Sequence, residues 1–143
     1  MKNKIVYKEI LPLKNDLYHL FISTGWNEEY RLSGERIYKA LGNNWFCISA
    51  FYNNELVGFG RVVSDGVLHA MIYDLITLPE FQKSGIGSTI LKTLVQKCVQ
   101  CNIPDIQLFC ASGKRMFYEK RGFVARSEDG PGMQYQIKTN QNK

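Results

Sequence analysis

The chain has 143 residues, with 18 Lys and Arg against 13 Asp and Glu and a formal net charge of +5. Hydrophobic residues make up 45% and charged residues 22%, which excludes disordered and collagen-like classes and suffices for one core without disulfide or metal staples. No apolar run approaches the roughly 18 residues of a membrane span, and the opening MKNKIVYKEI lacks a signal peptide's apolar core and cleavage site, so a single cytoplasmic domain over 1–143 is expected, without membrane partners.

Lys4 to Ile10 reads as a first strand. Pro12 opens a helix through about Ser23, with Leu13, Leu17, Leu20 and Phe21 at helical spacing. Thr24 to Arg31 reads as a loop, and Ser33 to Leu41 as a short helix capped by Ser33 and stopped by Gly42. The period then changes. Trp45 to Tyr52 and Glu55 to Val63 form a hairpin about Asn53-Asn54, Ser64-Asp65-Gly66 makes a turn, and Val67 to Leu78 reads as a nearly all-apolar central strand ended by Pro79. A helix runs from about Ser88 to Cys101, with Ile90, Leu91, Leu94, Val95 and Cys98 on its apolar face. Asp105 to Cys110 is a strand, Gly113 to Arg121 a helix, and Phe123 to Ala125 and Met133 to Lys138 two closing strands, with residues 138–143 as a frayed tail. The order β-α-α-β-β-β-α-β-α-β-β needs a right-handed parallel crossover over 67–110 and antiparallel hairpins around it. The fold class is therefore α/β, a mixed sheet with helices on both faces.

The basic residues are scattered, so no nucleic-acid stripe is expected, although the excess suits a small polyanionic ligand. Cys98 and Cys101 form a CxxC, but it has no second pair and the only histidines, His19 and His69, lie far away in sequence. A zinc site is not expected, and neither is any other metal. Arg61 and Asp65 flank the hairpin before the central strand and read as solvated charges.

The most informative segment is Gln82-Lys83-Ser84-Gly85-Ile86-Gly87-Ser88, between a strand and a helix. A helix start leaves N–H groups unpaired and carries partial positive charge, and glycines let the backbone converge them on an anion. The expected ligand is a phosphate or pyrophosphate. The P-loop's GxxxxGK[ST] is absent, and the dinucleotide fingerprint fails because position 90 is Ile rather than Gly.

Gln82-x-x-Gly85-x-Gly87, following Ile76-Thr77-Leu78-Pro79-Glu80, resembles the acetyl-CoA signature of the GNAT N-acetyltransferases. Downstream, Phe117-Tyr118-Glu119-Lys120-Arg121-Gly122-Phe123 is similar to that family's Tyr-Glu-Lys-x-Gly-Phe segment. The two motifs stand in the family's order, and the element order covers nearly the whole chain.

The resemblance implies acetyl transfer from acetyl-CoA to a primary amine, with direct attack in a ternary complex. Gln82, Lys83, Ser84, Gly85, Ile86, Gly87 and Ser88 would cradle the pyrophosphate, and Leu75, Ile76 and Thr77 would pair with the pantetheine arm. An N–H of that strand would hold the carbonyl oxygen as it gains charge. Tyr118 would protonate the departing thiolate. Asp74, the lone charge between Ala70 and Leu78, is a candidate general base, because a carboxylate in an apolar strand should be raised toward neutrality. A water chain to solvent is its competitor. Strand alternation sets Asp74 on the face opposite Tyr73, Leu75 and Thr77.

Trp26 and Tyr30, beside Glu28 and Glu29, are candidate acceptor contacts, suited to an amine or cation. The acceptor is expected to be a small amine. A protein lysine or N-terminus, or a non-catalytic CoA-binding module, are the alternatives. The resemblance also makes a homodimer a candidate state. Two positions depart from the family pattern: Ala111 stands where Asn is common, and Lys114 where Ala is common.

Overall fold

The structure, a computed structural model, describes residues 4–137. The expected tail at 138–143, and the end of the last expected strand at Lys138, lie outside the described residues. The chain divides into two units, Met1–Leu108 and Phe109–Lys143.

The first unit holds a five-stranded sheet in the order β1-β2-β3-β4-β5. These strands are β1 (Ile5–Lys8), β2 (Phe46–Tyr52), β3 (Glu55–Ser64), β4 (His69–Thr77) and β5 (Asp105–Leu108). The first three junctions are antiparallel and β4–β5 is parallel, so the sheet is mixed, as the element order required. Four helices accompany it: α1 (Lys14–Ile22), α2 (Asn27–Tyr30), α3 (Gly34–Leu41) and α4 (Ile86–Gln100).

Local chemistry accounts for several boundaries. Ser33 caps α3 by accepting from the Arg36 N–H at 3.2 Å, and Gly42 ends the helix. Asn53 and Asn54 both take positive φ, 49° and 65°, the geometry that a two-residue hairpin turn demands and asparagine tolerates. β4 starts two residues later than the apolar run. Asp65 gathers the N–H groups of Val67, Leu68 and His69, and that turn leaves Val67 and Leu68 exposed outside the strand.

Helix α4 covers one face of the sheet. Ile86, Ile90, Leu91, Leu94 and Cys98 are buried on it. Gly58 and Gly60 of β3 lie beneath: a Cβ at Gly60 would stand 2.7 Å from Ile90 Cγ2, and one at Gly58 would stand 2.9 Å from Ile86 Cγ2. The opposite face is closed by α1 and by α3, which packs on α1. There Ser49, the one buried polar residue among the described residues, donates to the Ile10 carbonyl at 2.8 Å, which satisfies its hydroxyl. Each fully buried Leu, Ile or Phe contributes about 1.5–3 kcal/mol by removal from water.

The second unit contains α5 (Arg115–Glu119) and no strand among its described residues. The expected strands Phe123–Ala125 and Met133–Lys138 are therefore not seen over their described parts. Their apolar residues find no core: Val124, Met133, Tyr135 and Ile137 are all more than 80% exposed. Alternation makes a strand favourable only where one face can be buried.

Candidate active site

The segment between β4 and α4 is tightly organised. Residues Pro79–Phe81 form a single 3-10 turn. Gln82 folds back so that its Nε2 donates to the Thr77 carbonyl at 3.2 Å, and the Ser84 hydroxyl donates to the Phe81 carbonyl. Lys83 and Gly85 both take positive φ, 63° and 90°. Gly85 is the N-cap of α4, and no side chain caps the helix or places an acid in its first turn. The first helical bond runs from the Thr89 N–H to the Gly85 carbonyl at 3.0 Å. Ahead of that bond, the leading N–H groups give the helix start about half a positive charge. The predicted cradle fits an anion such as a pyrophosphate.

Beside it, β4 leaves the regular ladder. From Phe59 to Arg61 is two residues on β3, whereas the partners Ile76 and Tyr73 are three apart on β4. The extra residue is Asp74, with φ 54°. A left-handed non-glycine residue costs about 1–2 kcal/mol, and Asp is among the few that adopt it. This bulge corrects the alternation. Tyr73 lies opposite Arg61 on one face, while Leu75 approaches Gly60 and Thr77 approaches Gly87 on the α4 face. The pairing of β4 with β5 ends at Ile72↔Leu108. Beyond it, no strand among the described residues pairs with that edge of β4. That edge of β4 along residues 75–77 is therefore open to an extended, amide-bearing chain next to the cradle, with the Thr77 carbonyl already accepting from Gln82.

Asp74 is not a lone carboxylate. The Arg61 Nε donates to its Oδ2 at 2.7 Å, and the two side chains are only 13% and 16% exposed. Arg61 also donates from Nη1 to the Asn43 carbonyl at 3.3 Å and lies 5.5 Å from the Tyr73 ring centroid. The reading of Arg61 as a solvated charge is thus corrected: the only cation of β3 turns inward to the only anion of β4. Two lone opposite charges in consecutive apolar strands were the available signal. Asp65 is solvent-exposed as expected, with its carboxyl held below the usual range by the Leu68 and Val67 N–H groups.

Trp26 and Tyr30 lie on an ordered turn rather than a loop. The residues Asn27–Tyr30 form α2, and the Asn27 side chain closes the turn by a reciprocal pair of 3.0 Å bonds with the Leu32 backbone. Trp26 packs edge-on against Phe21, 5.8 Å between centroids. Tyr30 is exposed, as are Glu28 and Glu29.

In the second unit, Tyr118 sits on α5 between two rings, edge-on to Phe117 at 5.1 Å and to Phe123 at 5.9 Å. Burial, with Cys110 as a lesser cause, pushes its phenol above the usual value, so at neutral pH it holds its proton. Arg121 stacks on Phe117, 3.9 Å from the ring centroid, and donates to the Phe117 carbonyl at 2.8 Å. Ala111 and Lys114 make the turn into α5, the Lys114 N–H donating to the Ala111 carbonyl at 3.0 Å.

The sequence and the fold both have counterparts among known proteins. The sequence model of the acetyltransferase (GNAT) family matches residues 13–123. An uncharacterized N-acetyltransferase, ycf52, of Pyropia yezoensis is 32% identical over 141 residues, covering 92% of this chain and 79% of its own. The histone acetyltransferase TAP1 of Glycine max is 35% identical over 79 residues, 55% of this chain and 32% of its own. Among solved structures, a GNAT-family acetyltransferase of Streptococcus pneumoniae superposes with a TM-score of 0.75 at 27% identity, covering 96% of this chain and all of that one. The chain belongs to the GNAT family of acetyltransferases. It is an N-acetyltransferase, and the family's donor is acetyl-CoA.

Proposed function

We propose that the enzyme acetylates the primary amine of a small molecule by direct attack on the bound thioester. The observation that carries the reading is the adjacency of the α4 start, which no side chain caps, and the β4 edge beyond Ile72, which β5 leaves open. The first suits the diphosphate of acetyl-CoA, with Gln82–Ser88 around it. The second suits the amides of its pantetheine arm, along Leu75, Ile76 and Thr77. A β4 N–H would stabilise the carbonyl oxygen as it gains charge.

Tyr118 is the proposed proton donor to the thiolate, and its raised affinity for the proton supports that role. Two acceptors are open for the amine's proton, the Asp74 carboxylate and a water chain to solvent. The Arg61 ion pair favours the water. The acceptor's cationic group suits the aromatic and acidic turn of Trp26, Glu28, Glu29 and Tyr30. A second reading, acetylation of a protein lysine, is favoured by the likeness to the Glycine max histone acetyltransferase.

The test has two stages. Acetyl-CoA and CoA at saturating concentration should each raise the melting temperature by roughly 2–8 °C, and ATP should not. An acceptor panel of arylalkylamines, polyamines, amino acids, amino sugars and lysine peptides then separates the readings. Turnover confined to peptides would overturn the small-amine proposal, and no shift with either CoA form would overturn the cradle.

A further inference from the structure

The β4 bulge depends on one residue in an uncommon conformation, and that residue is held by a single cation. Asp74 takes φ 54°, and its carboxylate receives the Arg61 Nε at 2.7 Å. Arg61 is itself fixed from two further sides, by the Asn43 carbonyl that follows α3 and by the face of Tyr73, the residue before the bulge. Both charges are largely withdrawn from water, where a hydrogen-bonded ion pair holds geometry far better than an exposed one. The bulge stands where β4 parts from β5, between Ile72, the last residue paired with β5, and Leu75, Ile76 and Thr77, along which β4 is paired only on its β3 side.

We propose that Arg61 is a positioning residue, acting through Asp74 as a strut that holds the β4 bulge and so aims the backbone groups of residues 75–77. The proposal rests on the acetyl-transfer reading for its effect on rate, though not for its effect on the strand. Asp74 then serves catalysis through its backbone conformation and its bond to Arg61, not by accepting the amine's proton. Neither partner touches the reacting atoms. The pair acts by fixing where the N–H that polarises the thioester points, and small misplacements of such groups are costly.

The experiment compares Arg61→Met, Arg61→Lys, Asp74→Ala, Asp74→Asn and the Arg61→Met/Asp74→Ala double variant in the full chain. The readouts are kcat and KM, the pH profile of kcat/KM, the acetyl-CoA thermal shift, and amide hydrogen exchange over 73–77. Arg61→Met and Asp74→Ala should each lower kcat by about 10–100-fold, keep the thermal shift, and speed exchange over 73–77. The double variant should lose little more than either single one. Asp74→Asn should lose about 10-fold less than Asp74→Ala, because Asn adopts the left-handed region readily and still accepts from Arg61. The pH profile should keep its shape throughout.

Equal losses in Asp74→Asn and Asp74→Ala, with the acid limb of the profile gone, would make Asp74 the base and overturn the strut. Wild-type kcat and exchange in Arg61→Met would overturn it too. If Arg61→Met does not fold, Arg61→Lys and Asp74→Ala carry the comparison. If the unsubstituted enzyme turns over no amine, the acetyl-transfer reading fails by itself, and unchanged exchange in the variants would overturn the strut separately.

Discussion

The two units of the chain are built on different principles. Every buried apolar side chain among the described residues lies between Pro12 and Ile103, within the first unit. The second unit buries none of its described apolar residues and is organised by short-range features: the ring stack about Tyr118, the Arg121 cap on Phe117, and turns such as Gly130 N–H to the Ser127 carbonyl at 3.0 Å. The proposed donor-binding backbone thus belongs to the region with a close-packed core, whereas the proposed proton donor belongs to a region held by local contacts. Groups that must hold a long ligand in register gain from a rigid scaffold. A proton donor needs only a ring, a hydroxyl and the right proton affinity.

The sharpest way to break that contrast is Tyr118→Phe. It should lower kcat by about 10²–10⁴-fold while leaving the acetyl-CoA thermal shift intact. Unchanged turnover would move the proton chemistry out of the second unit. Next in size is the difference in packing between the two units. Leu94→Ala should cost about 2–5 kcal/mol of unfolding free energy, and Val124→Ala within about 0.5 kcal/mol, both read from denaturant titration. Equal costs would show a second core that the exposure of Val124 does not suggest.

Gly85→Ala is a smaller probe. No atom lies within 4 Å of an added Cβ, but φ is 90°. It should therefore cost roughly 1 kcal/mol through backbone strain alone and weaken acetyl-CoA binding measured by calorimetry. Undiminished affinity would mean that the cradle's curvature is not set at Gly85.

The smallest effect is electrostatic. The Asp65 carboxyl is held low by the Leu68 and Val67 N–H groups. A group whose folded pKa is depressed contributes order that is full above the ordinary carboxylate range and is lost as pH falls through the lowered value. The Val67 and Leu68 amide shifts should accordingly titrate below the usual carboxylate midpoint in an NMR pH series. A midpoint at or above that value would contradict the capping geometry.

Much of the first unit was legible from residues alone. The apolar stripe Ile90-Leu91-Leu94-Cys98, the Asn53-Asn54 turn and the Ser33 cap each have one cheap local solution, and each is found. The sharp turn into α4 was legible for the same reason, since glycines between a strand and a helix point to few geometries. The bulge was not, because period-two alternation assumes one residue per pleat and Asp74 inserts another. That insertion put Tyr73 on the wrong side of β4 and hid the Arg61 pair. The turn at Asn27 was missed because its stability comes from a side chain reaching five residues ahead to Leu32. The closing strands were over-read, since alternation in Met133, Tyr135 and Ile137 names a face without supplying anything to cover it.

The two glycines of β3 have a reach beyond their own strand. Gly58 and Gly60 admit Ile86 and Ile90, residues of the first turns of α4. A methyl group at either position would act as a shim beneath that end of the helix, lifting or tilting it away from β4. The ligand's phosphates would meet a displaced seat although every residue in contact with them was unchanged. Surveys of this enzyme by ligand proximity would pass over Gly58 and Gly60, yet substitutions there should register as lost donor affinity. The depth of the proposed binding surface is thus set from behind, by two side chains that are not there.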